Sequence, residues 1–275
     1  MDQSAAPPNS ETSKSTSTKH TASPLPKKRS DEVHFVIQGK GGVGKSFVAS
    51  ILAEYFSDRL ENLRCYDTDP VNHTFSTYRA FNVENVKVFD DGVIDGTAFD
   101  ALIMEVAEPG VSAVIDNGAT TFIPLLNYMD TQLIYDLLAD QGKTVVIHTI
   151  VAGGGAHQET VAGFKQIAEE TPESVKLVVW LNELHGKVAY LNNLFTDSPV
   201  YKKFESRVWA TITMEKPSDL FAKAIEDKRA DGFSFKQALD GEDRPGQKIK
   251  YNLLERQRLK ITRDKFFDQL TAVKL

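Results

Sequence analysis

One short stretch near the N-terminus limits this chain to few folds. Val33-His34-Phe35-Val36-Ile37-Gln38 is a β-branched, apolar run, Gly39-Lys40-Gly41-Gly42-Val43-Gly44-Lys45-Ser46 follows it, and Phe47 to Ser57 carries helical spacing. The segment fits G-x-x-x-x-G-K-[ST] in the strand–loop–helix context that gives the pattern its meaning. A polyphosphate must be wrapped by backbone N–H groups, and glycines let the chain come close in conformations other residues resist. The start of the following helix adds partial positive charge. Gly41, Gly42, Val43 and Gly44 thus read as the cradle, Lys45 as the cation for the β- and γ-phosphates of ATP, and the Ser46 hydroxyl as a magnesium ligand. The same glycines also spell G-x-G-x-x-G, with Asp67 closing the next strand 23 residues after Gly44, the layout of a dinucleotide-binding fold. Lys45-Ser46 decides against that rival, because its helix packs closely there and has no use for a buried cation.

Further β-branched runs follow at Leu63–Asp67, Val86–Phe89, Val111–Asp116, Thr144–Val151, Val175–Leu181 and Val208–Ile212. Segments 45–58, 97–107, 130–140 and 156–170 between them suit crossover helices. Strands that are apolar throughout imply a parallel sheet covered on both faces. The expected fold is therefore a three-layer α/β/α P-loop NTPase with about seven or eight strands, its chemistry where the strands stop. Residues 1–30, rich in Ser, Thr, Pro and Lys, lack the apolar surface to offset ordering and read as a disordered basic tail. Residues 31–275 read as one domain, ending in a helix at about 252–272.

Charge is unevenly placed. The net charge is −6, yet residues 1–30 carry five Lys/Arg against two Asp/Glu and residues 244–265 carry eight against two. An acidic body with basic ends argues against DNA gripped by the whole surface, so any DNA contact is expected through 244–265. A single cysteine, Cys65, excludes an internal disulfide and a cysteine-based zinc site. No apolar run reaches the ~20 residues of a membrane span. The reading is a soluble protein of the cytoplasm.

Lys40-Gly41-Gly42-Val43-Gly44-Lys45-Ser46 resembles the deviant Walker A motif of the ParA/MinD group of P-loop ATPases. The resemblance implies that Lys40 reaches a partner's phosphates across an ATP-sandwiched homodimer; otherwise Lys40 is a solvent-facing loop lysine. Asp67-Thr68-Asp69-Pro70 is similar to the group's D-x-D-P switch I, which implies that Asp69 orients the attacking water and Asp67 supports magnesium through its waters. A plain strand-end turn is the alternative. Val111 to Asp116 ends in an acid as a Walker B strand does, so Asp116 is a magnesium candidate, or else a helix cap. Asn117-Gly118-Ala119 departs from the proline-containing switch II of partitioning ATPases. Asn182, ending Val178-Val179-Trp180-Leu181-Asn182, stands where the group places an adenine contact.

Val36-Ile37-Gln38 before the loop, Asp67-Thr68-Asp69-Pro70-Val71-Asn72, Ile115-Asp116-Asn117-Gly118-Ala119, Val146-Ile147-His148-Thr149, Val179-Trp180-Leu181-Asn182 and Arg256-Gln257-Arg258-Leu259-Lys260-Ile261 are similar to the TraL family of conjugative plasmids. That implies a cytoplasmic ATPase of plasmid conjugal transfer, linked to a type IV secretion or DNA-transfer component. The mechanism does not follow from this resemblance, and the reading adopted for it is a slow ATPase switch in which two subunits close on ATP and magnesium. A DNA-partitioning ATPase and a nucleotide sensor without hydrolysis stay open beside it. Gly153-Gly154-Gly155 reads as a flexible turn, with a dimer-contact loop as the alternative. Leu259, Phe266, Leu270 and Val273 form one helical stripe, for packing on the body or for a partner.

Overall fold

Val33, Phe35 and Ile37 turn to one side of the first strand and His34 and Val36 to the other, and all five are shut from solvent. Such a strand has to lie at the centre of a sheet covered twice. The computed structural model describes residues 30–90, 93–190, 193–240 and 251–275. Most of the basic tail, residues 1–29, and part of the basic segment, residues 244–250, lie outside the described residues.

The strands are β1 (Glu32–Val36), β2 (Leu63–Asp67), β3 (Glu84–Asn85), β4 (Phe89–Asp90), β5 (Val93–Ile94), β6 (Ser112–Asp116), β7 (Thr144–Ala152), β8 (Lys176–Asn182), β9 (Ala189–Tyr190), β10 (Asn193–Leu194) and β11 (Val208–Met214). Seven form one sheet in the order β11-β8-β7-β1-β6-β2-β3, with every pairing parallel. Strands β4 with β5 and β9 with β10 make two small antiparallel hairpins. The chain leaves β1 toward β2, returns to β6, then crosses to β7, so the order reverses at β1. A sheet of this kind presents its ligand crevice at that point, beyond the carboxyl ends of the strands.

Helices α1 (Lys45–Ser57), α7 (Asp219–Ala230), α8 (Phe235–Asp240) and α9 (Leu253–Ala272) cover one face, with Ile51, Phe56, Val114, Trp180, Phe235, Leu259, Phe266 and Leu270 in its core. Helices α2 (Gly96–Ala107), α3 (Phe122–Thr131), α4 (Ile134–Asp140), α5 (His157–Glu170) and α6 (Pro199–Phe204) cover the other, around Phe35, Phe99, Leu125, Ile147, Phe164 and Phe204. The stripe on α9 packs inward at Leu259, Phe266 and Leu270, and α9 opens with a reciprocal Asn252–Glu255 capping box. Gln269 of α9 meets the backbone of Thr213 on the edge strand β11 as a neighbouring strand would. Thr213 N donates to Gln269 Oε1 at 2.8 Å, and Gln269 Nε2 donates to Thr213 O at 3.1 Å.

Two expectations shift. The run Val86–Phe89 is not a strand of the seven-stranded sheet: β3 ends at Asn85, one last bond joins Val86 N to Asp67 O at 2.9 Å, Val88 turns into the core on the α2 side, and Phe89 already belongs to the β4–β5 hairpin. The segment 130–140 is not one helix, because Leu133 takes a left-handed backbone (φ 52°) between α3 and α4. Among the described residues no helix is long and apolar enough to cross a membrane.

The α1 face of the sheet also buries a chain of rings. Trp180 Nε1 donates to His148 Nδ1 at 3.0 Å, and His148 Nε2 lies 3.0 Å from His34 Nδ1. With Nδ1 accepting from the indole, neutral His148 carries its proton on Nε2 and donates it onward. Burial, helped by His34, holds the His148 imidazole well below the ordinary histidine value. Unfolded, that ring takes up a proton near pH 6.5; folded, it stays neutral. Its stabilising contribution is therefore full above about pH 6.5 and falls by up to ~1.4 kcal/mol per pH unit below it. Urea midpoints measured between pH 7.5 and 5 should drop more steeply for the native chain than for His148→Gln, which keeps an acceptor for Trp180 but cannot titrate. Parallel profiles would refute the assignment.

Candidate functional site

Backbone geometry explains the glycines of the loop between β1 and α1. Gly42 (φ 74°) and Gly44 (φ 103°) sit in the left-handed region, where a side chain is strained, and Gly44 caps α1. A Cβ on Gly41 or Gly42 would meet nothing within 4 Å, so the loop faces open space. Buried Val43 anchors it from below.

Two side-chain amides fix the ends of the loop. Gln38 is fully buried; its Oε1 accepts from Gly39 N at 2.8 Å, and its Nε2 lies 2.7 Å from Ile150 O, 3.2 Å from Thr160 O and 3.3 Å from Thr149 Oγ1. Gly163, inside α5, makes room: a Cβ there would stand 2.1 Å from Gln38 Oε1. At the other end Asn182, which closes β8, donates from Nδ2 to Val43 O at 2.9 Å and accepts from Leu184 N at 2.9 Å. The adenine candidate is thus also a brace for the loop.

Lys45 is 8% exposed, and its Nζ points back to Lys40 O at 3.3 Å. Burial pushes its ammonium below the ordinary lysine value, against the pull of the Asp116 and Asp69 carboxylates. Asp116 lies in register with Val36 of β1 and Asp67 of β2, at the mouth of the loop. It is 1% exposed, and neither of its carboxylate oxygens has a hydrogen-bond partner among the described residues. Burial drives its carboxyl up to about 8, opposed by the nearby Ser46 hydroxyl and Lys45, with Asp67 and Asp69 adding to the rise. The Ser46 hydroxyl faces it without completing a well-formed hydrogen bond.

A buried carboxyl group that lacks a well-formed hydrogen bond and stands beside a hydroxyl and an ammonium fits a hard cation such as Mg²⁺, which takes one or two protein oxygens and fills its remaining positions with water and phosphate. Among the described residues no cluster of three or more His, Cys, Asp or Glu could enclose a metal on its own. Ser46 and Asp116 are the residues that would hold the ion.

Asp67 uses its carboxylate differently. Its Oδ1 accepts from Asp69 N at 3.1 Å and its Oδ2 from Ser76 N at 3.0 Å, shaping the loop beyond β2. Burial raises its carboxyl while those two amides oppose the rise. Asp69 Oδ1 accepts from Val71 N at 2.9 Å and Asn72 N at 3.1 Å, an Asx-type turn. Lys40, at the loop crest, is held in the same chain by Glu159 of α5, at 2.9 and 3.0 Å to its two oxygens.

Sequence reasoning missed Gln38 with Gly163, Glu159, and the bond of Thr68 Oγ1 to Asn117 Oδ1 at 3.0 Å. All are long-range contacts with no local signature. The Gly153–Gly155 turn is packed at its first two glycines and open at its third: a Cβ on Gly153 would stand 2.0 Å from Gly186 O and one on Gly154 2.7 Å from His185 O, while one on Gly155 would meet nothing within 4 Å. In the described part of the basic segment, Lys260 and Arg263 pair with Asp264, and Lys265 pairs with Glu215.

No protein-family model matches the chain. Two Escherichia coli proteins, both described as Protein TraL, are 37% identical to it over 242 and 244 residues, covering 88% and 87% of this chain and 98% and 97% of theirs. Similar solved structures include a nucleotide-binding protein from Archaeoglobus fulgidus in complex with ADP, at 16% identity over 74% of this chain and 88% of that one, with a TM-score of 0.42. Others are the MinD cell division protein of Aquifex aeolicus (11% identity, 86% and 97% covered, TM-score 0.43) and a putative plasmid partition protein of Borrelia burgdorferi bound to AMPPNP (14%, 84% and 97%, TM-score 0.39).

The Gln38 pocket gives a test of sign. Helix propensity alone predicts that Gly163→Ala stabilises by up to ~1 kcal/mol. The 2.1 Å approach to Gln38 predicts instead a loss of ~1–3 kcal/mol from overpacking, together with weaker nucleotide binding as the loop loses its anchor. Urea unfolding and titration with an ATP analogue decide between them. Glu159→Gln, at an exposed ion pair, should change stability by less than ~0.5 kcal/mol.

Proposed function

The chain belongs to the TraL family, and from that premise we propose that it is a magnesium-dependent ATPase that acts in the cytoplasm as a nucleotide-gated homodimer during plasmid conjugal transfer. One ParA/MinD-like domain, from residue 31 to 275, carries the activity. The observation that supports this most is Asp116: a buried carboxylate with two unpartnered oxygens, set beside Lys45 and Ser46 at the mouth of a glycine loop that faces open space.

In this reading the N–H groups of Gly41 to Ser46 wrap the polyphosphate, and Lys45 leaves Lys40 O to neutralise it. Magnesium, when bound, supplies charge compensation between the phosphates, with Ser46 and Asp116 as its protein oxygens and Asp67 ordering the surrounding water. Asp69 holds the attacking water. Asn182, which has one amide hydrogen and one lone pair beyond its present bonds, meets the adenine edge. Lys40 exchanges Glu159 for a phosphate of the partner's nucleotide. An exposed ion pair is worth ~1 kcal/mol or less, so that exchange is readily driven by a polyphosphate. A component of a type IV secretion or DNA-transfer apparatus would read the dimeric state.

Lys45→Ala should abolish ATP binding in calorimetry, and unchanged affinity would remove the central assignment. Asp69→Ala should keep affinity within a few-fold while the ATP-bound dimer persists in sizing with light scattering. Absence of phosphate release from the native chain, with or without a partner, would leave a nucleotide sensor in place of the ATPase.

A further inference from the structure

The unusual Asn117-Gly118 pair joins the ends of β2 and β6. Thr68 N donates to Asp116 O at 2.9 Å, and the single Oγ1 hydrogen is shared between Asp116 O and Asn117 Oδ1, each at 3.0 Å. Asn117 in turn donates to Val36 O at the end of β1, from its backbone N at 3.2 Å and from Nδ2 at 3.5 Å, and its Nδ2 also lies 3.3 Å from Ile115 O of its own strand β6. Next comes Gly118. Its backbone is not among those with positive φ, so nothing in its conformation demands glycine. What demands glycine is space: a Cβ at Gly118 would stand 2.9 Å from Asp69 Oδ1, 3.0 Å from Asp69 Cγ and 3.0 Å from Pro70 Cδ. Asp69 cannot retreat cheaply, because that same Oδ1 accepts from Val71 N and Asn72 N. Four residues on, the Phe122 ring lies against the loop: a Cβ on Gly39 would stand 2.8 Å from its Cδ1.

We propose that Gly118 is a positioning residue for hydrolysis: its missing side chain is the seat against which the Asp69 carboxylate is set. In this chain the contact stands where related ATPases would carry a proline-containing switch II. A displacement at Asp69 is thereby transmitted to the 117–122 segment by direct contact, and through Phe122 to the first glycine of the loop. The inference rests on the role given to Asp69 above.

The test is a double-mutant cycle read two ways, by steady-state ATPase kinetics and by thermal melting. Gly118→Ala should lower kcat by ~10- to 100-fold, as expected for a misplaced group, with KM for ATP little changed. In an Asp69→Ala background it should cost no further activity. Its melting temperature should fall in the native background and by clearly less once the Asp69 side chain is gone, the remainder being the approach to Pro70 Cδ. Should Gly118→Ala fail to fold alone, Asp69→Ala should restore it, and equal instability of the double variant counts against the contact. A normal kcat in Gly118→Ala beside an inactive Asp69→Ala overturns this inference alone. A normal kcat in Asp69→Ala removes the assignment beneath it.

Discussion

Three parallel strands stop at one level: Val36 of β1, Asp116 of β6 and Asp67 of β2 lie side by side in register. The rest of the site depends on that alignment. Because the strands run the same way, each must be left by a loop at the same end of the sheet, and those loops are the glycine turn, the Asp67–Pro70 segment and the Asn117–Gly118 corner. Lys45, Asp69 and Asp116 act on one another electrostatically for this reason alone, although 24 and 47 residues separate them along the chain. A slip of one residue between β1 and β6 would turn Asp116 to the opposite face of the sheet.

Buried polar groups divide into two kinds here. Gln38, Asn117 and Thr68, with half-buried Asn182, each have a hydrogen-bond partner far away in the sequence, and each ties a loop to the strand beside it. Satisfied in this way they rigidify the loops at little net cost. Asp116 is the contrast. Its unpartnered oxygens are destabilising for the chain by itself, which is the condition expected of a site held ready for an ion. A loop fixed from both ends and a carboxyl group without a well-formed hydrogen bond are complementary: the first limits relaxation, so the second stays unpartnered among the described residues.

How much of this was legible depended on how local the cause was. The glycine loop and the parallel sheet follow from residue type and order, since strands β1, β6, β7 and β8 are apolar on both faces and their neighbours in sequence are turn formers. The run Val86–Phe89 looked the same but leaves the sheet, because β3 has a single neighbour and its chain turns into the α2 layer. Helices α6, α7 and α8 gave no clear stripe; they are short or bury few side chains. The glycines at 153, 154 and 163 were visible as glycines, but their reason lies in the 183–187 loop and in Gln38, far away in sequence. Lys40 was singled out by its neighbours, while its partner Glu159 had nothing to mark it.

Gln269 occupies the backbone groups of Thr213 at the margin of β11. A sheet whose border is stoppered by an amide side chain is a poor template for a further strand, so ribbon-like growth from that flank is discouraged. That flank of the sheet is thereby closed to pairing with a second copy, and in the function proposed above contact between copies would fall to the rim where the loops emerge.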